Sequence, residues 1–409
     1  AWFTVFGRYL GQGLKFDGGQ IGSVYGTMAL GAIVSMMVAG QLADRVLASE
    51  YLMAIFHLAG AGLLFLLTKV TGYASVWWVT LAYALVYNPT LTISNSLAFA
   101  NIKDSAHFAW VRVFGTIGWI AAGMSIDFVL PKDSDVTSRP LLLAAGLSVV
   151  LGLFSVLLPH TPPTGKKGDA LPFLRAFGLL RDPGFAIFFG ISFAITIALA
   201  FYYGFAGVYL GDVGVEKIAS VMTLGQWSEI GFMVLLPLAL KRFGMKTVLA
   251  VGMAAWVARY GFFSAAAGGT PFALVVLGVL LHGVCFDFFL AAGFIHTDNK
   301  APAAIRGSAQ ALFSFLTYGV GMWIGNVLSG MIVDRYTTKV PGPIVDGVAT
   351  LKDVKDWGAI WMWPAVAAGV CLVLFLVLWR DRGGKVQDAE AAPVVPEGGL
   401  RTADIAAEH

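Results

Sequence analysis

The stretch His160-Thr161-Pro162-Pro163-Thr164-Gly165-Lys166-Lys167-Gly168-Asp169-Ala170-Leu171-Pro172-Phe173-Leu174-Arg175-Ala176-Phe177-Gly178-Leu179-Leu180-Arg181-Asp182-Pro183 is the one long polar interruption of this chain before its tail. On its amino side, apolar windows of about 20 residues, the length that crosses a bilayer as a helix, fall near 1–12 (partial), 19–42, 50–70, 74–99, 109–130 and 140–159. On its carboxyl side they recur near 185–211, 218–240, 246–267, 271–296, 303–333 and 358–379. Backbone groups in lipid must be satisfied within the segment, so these runs are helices rather than strands. The expectation is an all-α membrane protein of twelve transmembrane helices in two pseudo-symmetric six-helix bundles. The bundles would cover 1–159 and 185–380, joined by a loop over 160–184 and followed by a disordered tail over 381–409.

Composition points the same way. Hydrophobic residues make up 58% of the 409 and charged residues 12%, against about a quarter charged in ordinary soluble domains, and mean hydropathy is +0.77. A net charge of +3 and a pI near 8.7 read as loop bias, with no basic run to suggest nucleic acid. Cys285 and Cys371 sit in apolar stretches and read as inert buried thiols, offering neither a disulfide framework nor a metal site. The opening Ala1-Trp2-Phe3, without methionine, reads as a truncated first helix rather than a signal peptide, because the segment carries Arg8 and stays apolar to Gly11.

Lysine and arginine orient the chain. The even loops and tail hold Arg45, Lys103, Lys166, Lys167, Arg175, Arg181, Lys241, Arg242, Lys246, Lys300, Arg306, Arg380, Arg382 and Lys385, while the odd loops hold Lys15, Lys69, Lys132 and Lys217 together with Lys339, Lys352 and Lys355 in a long outer loop near 334–356. Both termini are therefore expected in the cytoplasm. The second and third spans are joined by Gly40-Gln41-Leu42-Ala43-Asp44-Arg45, weakly repeated at Leu240 to Lys246. It resembles the G-x-L-a-D-[RK] loop signature of the major facilitator superfamily and makes Asp44 and Arg45 candidate gating residues; the plain reading is a tight turn with a capping Asp. Duplication shows again where Arg112 and Arg306 each open a glycine-rich helix.

An ionisable group inside a span costs several kcal/mol unless paired or wetted, so Arg8, Arg112, Glu229, Arg259 and Asp287 are candidates by position, with Asp127 near an outer helix end. Arg112, Thr116 and Trp119 share one helical face, offering a cation, a hydroxyl and an aromatic plate to a polar ring-bearing ligand. The competing reading has Arg112 snorkelling and Trp119 facing lipid. Gln226 and Glu229 are three apart among apolar neighbours, and a carboxylate there either pairs across the bundle or is protonated, as proton coupling needs. His282, Phe286 and Phe289 share a face, with Asp287 about 100° from Phe286, so Asp287 is left between coupling, gating and pairing with Arg259. Tyr87-Asn88-Pro89 with Asn95 marks a kink facing polar groups. There is no H-E-x-x-H, G-x-S-x-G or other catalytic constellation in the spans, so the chain reads as a transporter rather than an enzyme.

Taken in order, Leu14-Lys15-Phe16-Asp17-Gly18, Tyr87-Asn88-Pro89-Thr90-Leu91 with Asn95, Arg112-Val113-Phe114-Gly115-Thr116-Ile117-Gly118, Gln226-Trp227-Ser228-Glu229 and Phe286-Asp287-Phe288-Phe289 resemble the nucleoside:proton symporter family of the major facilitator superfamily. The resemblance implies uptake of nucleosides with protons by alternating access across a bacterial cytoplasmic (inner) membrane, as a monomer without cofactor. It assigns nucleoside binding to Arg112, Thr116, Gln226, Glu229 and Phe286, with an acid at Asp287. The chain departs from the family's pattern at Ala200 and Tyr203, where amide side chains are expected, and at Trp119 and His282, where other aromatics are expected; Tyr203, Trp119, His282 and Asn95 stay in the expected site. Glu229 is the preferred proton carrier. A sugar or an organic anion is the alternative cargo.

Overall fold

The computed structural model describes residues 2–102, 105–163, 172–268, 272–345 and 348–380; the side chains of Gly40, Gln41, Asp44, residues 105–113 and Pro172, and those at 343–345 and 348–350, lie outside the description. Helix α1 runs Trp2–Arg8 and continues as a π turn over Tyr9–Gly13. It is followed by α2 (Gly18–Arg45), α3 (Ser49–Leu67), α4 (Tyr73–Asn101), α5 (Ser105–Phe128) and α6 (Arg139–Ser155). Then come α7 (Pro183–Asp212), α8 (Ile218–Ala265), α9 (Phe272–Lys300), α10 (Ala303–Arg335) and α11 (Trp357–Leu378). Among the described residues, six helices are long and apolar enough to cross a membrane: α3, α7, α9, α10, α11 and Gly18–Ala39 of α2.

Local chemistry sets the boundaries. Asp17 caps α2 in a reciprocal box with Gln20, and Asp182 followed by Pro183 opens α7. Helix α8 comprises two helical arms, matching two spans of the sequence reading, that meet at Gly244, where φ 76° breaks the helical path; only glycine takes that conformation without a steric penalty. Inside α9 and α10, π turns at Phe286–Ala291 and Phe315–Gly321 interrupt the α geometry, a local widening common at functional sites.

Two stretches differ from the sequence reading. The outer loop is a β-hairpin, β1 (Thr337–Val345) antiparallel to β2 (Val348–Lys355), with Thr337 opposite Lys355 and an irregularity between Pro341 and Ile344. Pro341 and Gly342 look like pure turn signals in sequence, and the ladder accommodates them at a bulge. Within the central interruption, Pro172–Arg181 forms a 3₁₀ helix that buries Phe173, Ala176 and Leu179 at three-residue spacing. Phe173 stacks on Phe315 of α10 with ring centroids 4.4 Å apart, so part of the expected loop is a packed strap.

Helix α2 packs on α4, and α3 on both α4 and α6; α8 packs on α9 and α11, and α11 on α7. The two groups meet where α2 crosses α10, α5 crosses α8 and α1 crosses α7. Large apolar side chains such as Phe65, Trp78, Leu157, Val234 and Val377 face outward, as a lipid solvent allows.

Candidate substrate cavity and buried charge cluster

Between the two groups of helices lies a cavity of about 490 Å³ walled by α1, α2, α4, α5, α7 and α10, within the range of small-molecule sites. Its lining is aromatic: Trp2, Phe3, Tyr25, Tyr83, Tyr87, Trp119, Tyr203 and Tyr318, with Ser35, Asn88, Thr92, Ser314 and Asn326 as polar groups. Tyr83 and Tyr87 stack at 5.3 Å, and Trp2 meets Tyr83 edge-on at 5.5 Å. Pro89 removes an amide from α4, and the neighbouring Asn88 side chain donates to the carbonyls of Met28 (3.1 Å) and Ala84 (3.0 Å), pinning the kinked helix to α2. Buried Asn326 donates to the Met322 carbonyl at 2.9 Å, while its Oδ1 has no hydrogen-bond partner among the described residues. Such a surface suits a flat ring bearing hydroxyl groups: aromatic faces for the ring, amides and hydroxyls for the rest.

A second cluster of ionisable groups sits between the two arms of α8 and helix α9. The Arg259 guanidinium is fully buried; it lies 3.4 Å from the centre of the Tyr202 ring, and its Nη1 is 3.2 Å from His282 Nδ1. On the other side of the imidazole, His282 Nε2 is 3.8 Å from Glu229 Oε2. The His282 ring also stacks with Tyr202 at 5.5 Å and with Phe286 at 5.7 Å. Asp287 is buried, and neither of its oxygens has a hydrogen-bond partner among the described residues. The pairing of Asp287 with Arg259 is therefore not what forms. Arg259 turns to His282 and Tyr202 instead.

Polar contacts between the two groups of helices gather at one end. Asp334 at the close of α10 accepts from the Gly18 and Gly19 amides at the start of α2, the latter at 2.7 Å. The Ser220 amide of α8 donates to Asp127 of α5, Gln12 Nε2 reaches Asp212 of α7 at 3.4 Å, and Lys132 lies 3.8 Å from Glu216. Gly22 lies directly against the Asn326 carbonyl, where any larger residue would force α2 away from α10. All of these belong to the odd loops or the helix ends beside them. Arg8 also lies at that end, 3.2 Å from Asp135, which burial pushes up from its ordinary carboxyl value while the guanidinium opposes the shift.

Comparison with known proteins decides the family. The model described as "Nucleoside H+ symporter" matches residues 1–383. This chain belongs to that family. A relative in Escherichia coli K12 named as a candidate nucleoside transporter, YegT, is 39% identical over 94% of this chain and 91% of its own length. The xanthosine permease of the same organism is 33% identical over 93% and 91%. A crystal structure of the nucleoside transporter NupG superposes with a TM-score of 0.81 at 29% identity, covering 92% of this chain and 94% of that one. These relatives are transporters rather than enzymes, and the fold is the all-helical major facilitator type.

Within this symporter-family chain the expected site residues divide. Trp119 and Tyr203 line the cavity, so Trp119 faces the interior. Glu229, His282 and Phe286 come together at the charge cluster, with Asp287 on the next position of α9. Gln226 and Thr116 are half-buried, whereas Asn95 is exposed, further along α4 than the cavity residues Leu91 and Thr92. The side chains of Arg112 and Asp44 lie outside the described residues; Arg45 is exposed. Sequence reasoning missed Tyr25, Tyr318 and Asn326 as cavity residues. A tyrosine in a span carries no charge cost to flag it, and Asn326 alone left a signal, an amide inside an apolar run.

Proposed function

We propose that this chain imports nucleosides together with protons across a bacterial inner membrane by alternating access. The observation that carries the reading is the aromatic cavity between the two groups of helices, with the half-buried Glu229 and the buried Asp287 on α8 and α9. Arg112, Thr116, Gln226 and Phe286 hold the nucleoside, aromatics including Trp119 and Tyr203 stack on its base, and Asn95 and His282 complete the polar surround. Glu229 is the preferred proton carrier, with Asp287 as the second proton-coupling acid, while Asp44 and Arg45 gate the cytoplasmic side. The protein works as a monomer of twelve spans, two bundles over 1–159 and 185–380 joined by 160–184, with both termini and the 381–409 tail in the cytoplasm. The turn at Gly244 supports that count by dividing α8 in two.

The test is uptake of labelled uridine or adenosine into proteoliposomes with and without an inward proton gradient. Stimulation by the gradient is expected, and its absence sinks the coupling. Glu229→Gln is expected to abolish gradient-driven accumulation while leaving exchange; unchanged accumulation removes Glu229 from the proton role.

A further inference from the structure

Arg259 has no part in the transport reading above, yet it is a fully buried guanidinium whose Nε and Nη2 find no hydrogen-bond partner among the described residues. A buried cation without a carboxylate is costly, and here the described contacts that hold it are the Tyr202 ring, 3.4 Å from the guanidinium carbon, and His282 Nδ1 at 3.2 Å. The second contact has only one chemical meaning. A guanidinium donates and never accepts, so His282 Nδ1 must present its lone pair, and the imidazole is then neutral with its proton on Nε2. That nitrogen faces Glu229 Oε2 at 3.8 Å. Other titratable groups surround the pair, and Glu229 has further polar company of its own. Tyr202 and Tyr203 come from α7, Cys285 and Asp287 from α9, and Tyr260 from the second arm of α8, next to Arg259; α11, also packed on α8, brings Cys371, α1 brings Arg8, and the Arg112 side chain of α5 lies outside the described residues.

We propose that Arg259 is a positioning residue for proton coupling: it locks His282 as the Nε2–H tautomer, so that a hydrogen-bond donor, and never a lone pair or a second cation, is aimed at the Glu229 carboxylate. A donor beside a carboxylate favours its charged form, so the pair sets how acidic the surroundings must be before Glu229 takes its proton. Because the buried imidazole stacks on both the Tyr202 and Phe286 rings, turning it to exchange its nitrogens would break those contacts, and Arg259 holds the setting. The inference rests on the reading in which Glu229 carries the proton.

Two measurements test it separately. The first reads the tautomer in the purified full chain by ¹⁵N spectroscopy of labelled histidines, with the His282 signals assigned by their loss in His282→Phe; Nε2–H with a bare Nδ1 is expected throughout pH 5 to 8. A protonated Nδ1 in the unmodified protein overturns the proposal whatever the variants do. In Arg259→Met, mixed tautomers or an imidazolium are expected at the acid end, and an unchanged pattern also overturns it. The second is the pH profile of gradient-driven uridine uptake. His282→Phe is expected to move its midpoint up by about one pH unit, and His282→Gln, whose amide restores a donor, to bring it back by more than half that shift. Equal midpoints in His282→Phe and His282→Gln count against the donor role. Accumulation that survives Glu229→Gln sinks the proton reading instead, and the tautomer measurement still judges Arg259 alone.

Discussion

Glu229 and Arg259 stand on the two arms of α8, and the break at Gly244 lets both reach the same histidine. Each of the three residues was legible in sequence, because a charge or an imidazole inside an apolar span announces itself by its cost. Their pairing was not. Spacing reports which residues share a face of one helix and says nothing about the facing helix, which is why pairing of Asp287 with Arg259 stayed among the open readings. The cavity was harder still, since Tyr25, Tyr83 and Tyr318 are ordinary constituents of membrane helices. At this scale the expected effect of Trp119→Ala or Tyr203→Ala is loss of a stacking plate worth about 0.5–1.5 kcal/mol beyond its area. Uridine binding should weaken about two- to tenfold in each, read by calorimetry in detergent. Unaltered affinity in both would move the binding site out of this cavity.

Among the elements, the seam of α2 against α10 carries the connection between the two groups of helices. Asp334 caps the amino end of a helix in the other group, a placement where a carboxylate meets two free amides and the positive end of the helix dipole. Replacing Asp334 by Ala leaves those amides unpaired when the seam is shut, a cost of about 1–3 kcal/mol. The expected outcome is a larger population with this end open. It is measured by placing a single cysteine at Asn326, below the seam, and following its reaction with a membrane-impermeant thiol reagent from outside; Cys285 and Cys371 are buried and give little background. Faster labelling in the Asp334→Ala background is expected, and equal rates would show that the seam does not govern access. Helix existence was legible here from apolar length alone. The π turns, the hairpin over Thr337–Lys355 and the 3₁₀ strap over Pro172–Arg181 were not, because each arises from packing against a neighbour rather than from a period in its own sequence.

For the whole molecule, the polar contacts described between the two groups of helices all lie at the end where α2 begins and α10 finishes. In the proposed orientation, with lysine and arginine bias placing that end outside, these contacts would close the carrier outward and leave its cavity to exchange with the cytoplasm. The orientation has its own check. Lys339 and Lys352 on the hairpin are expected to react with an impermeant amine reagent in intact cells, while an epitope placed in the 381–409 tail stays protected until the membrane is opened; the opposite pattern would invert the topology.

The turn at Gly244 has a further consequence for how the chain reaches the membrane. Its two arms are joined with no intervening loop, and Lys241, Arg242 and Lys246 crowd the bend. Three cations at a vertex this tight resist translocation, while both arms can enter the lipid side by side. During synthesis, then, this pair is built to insert as one helical hairpin, and the direction it takes fixes the sidedness of every span that follows.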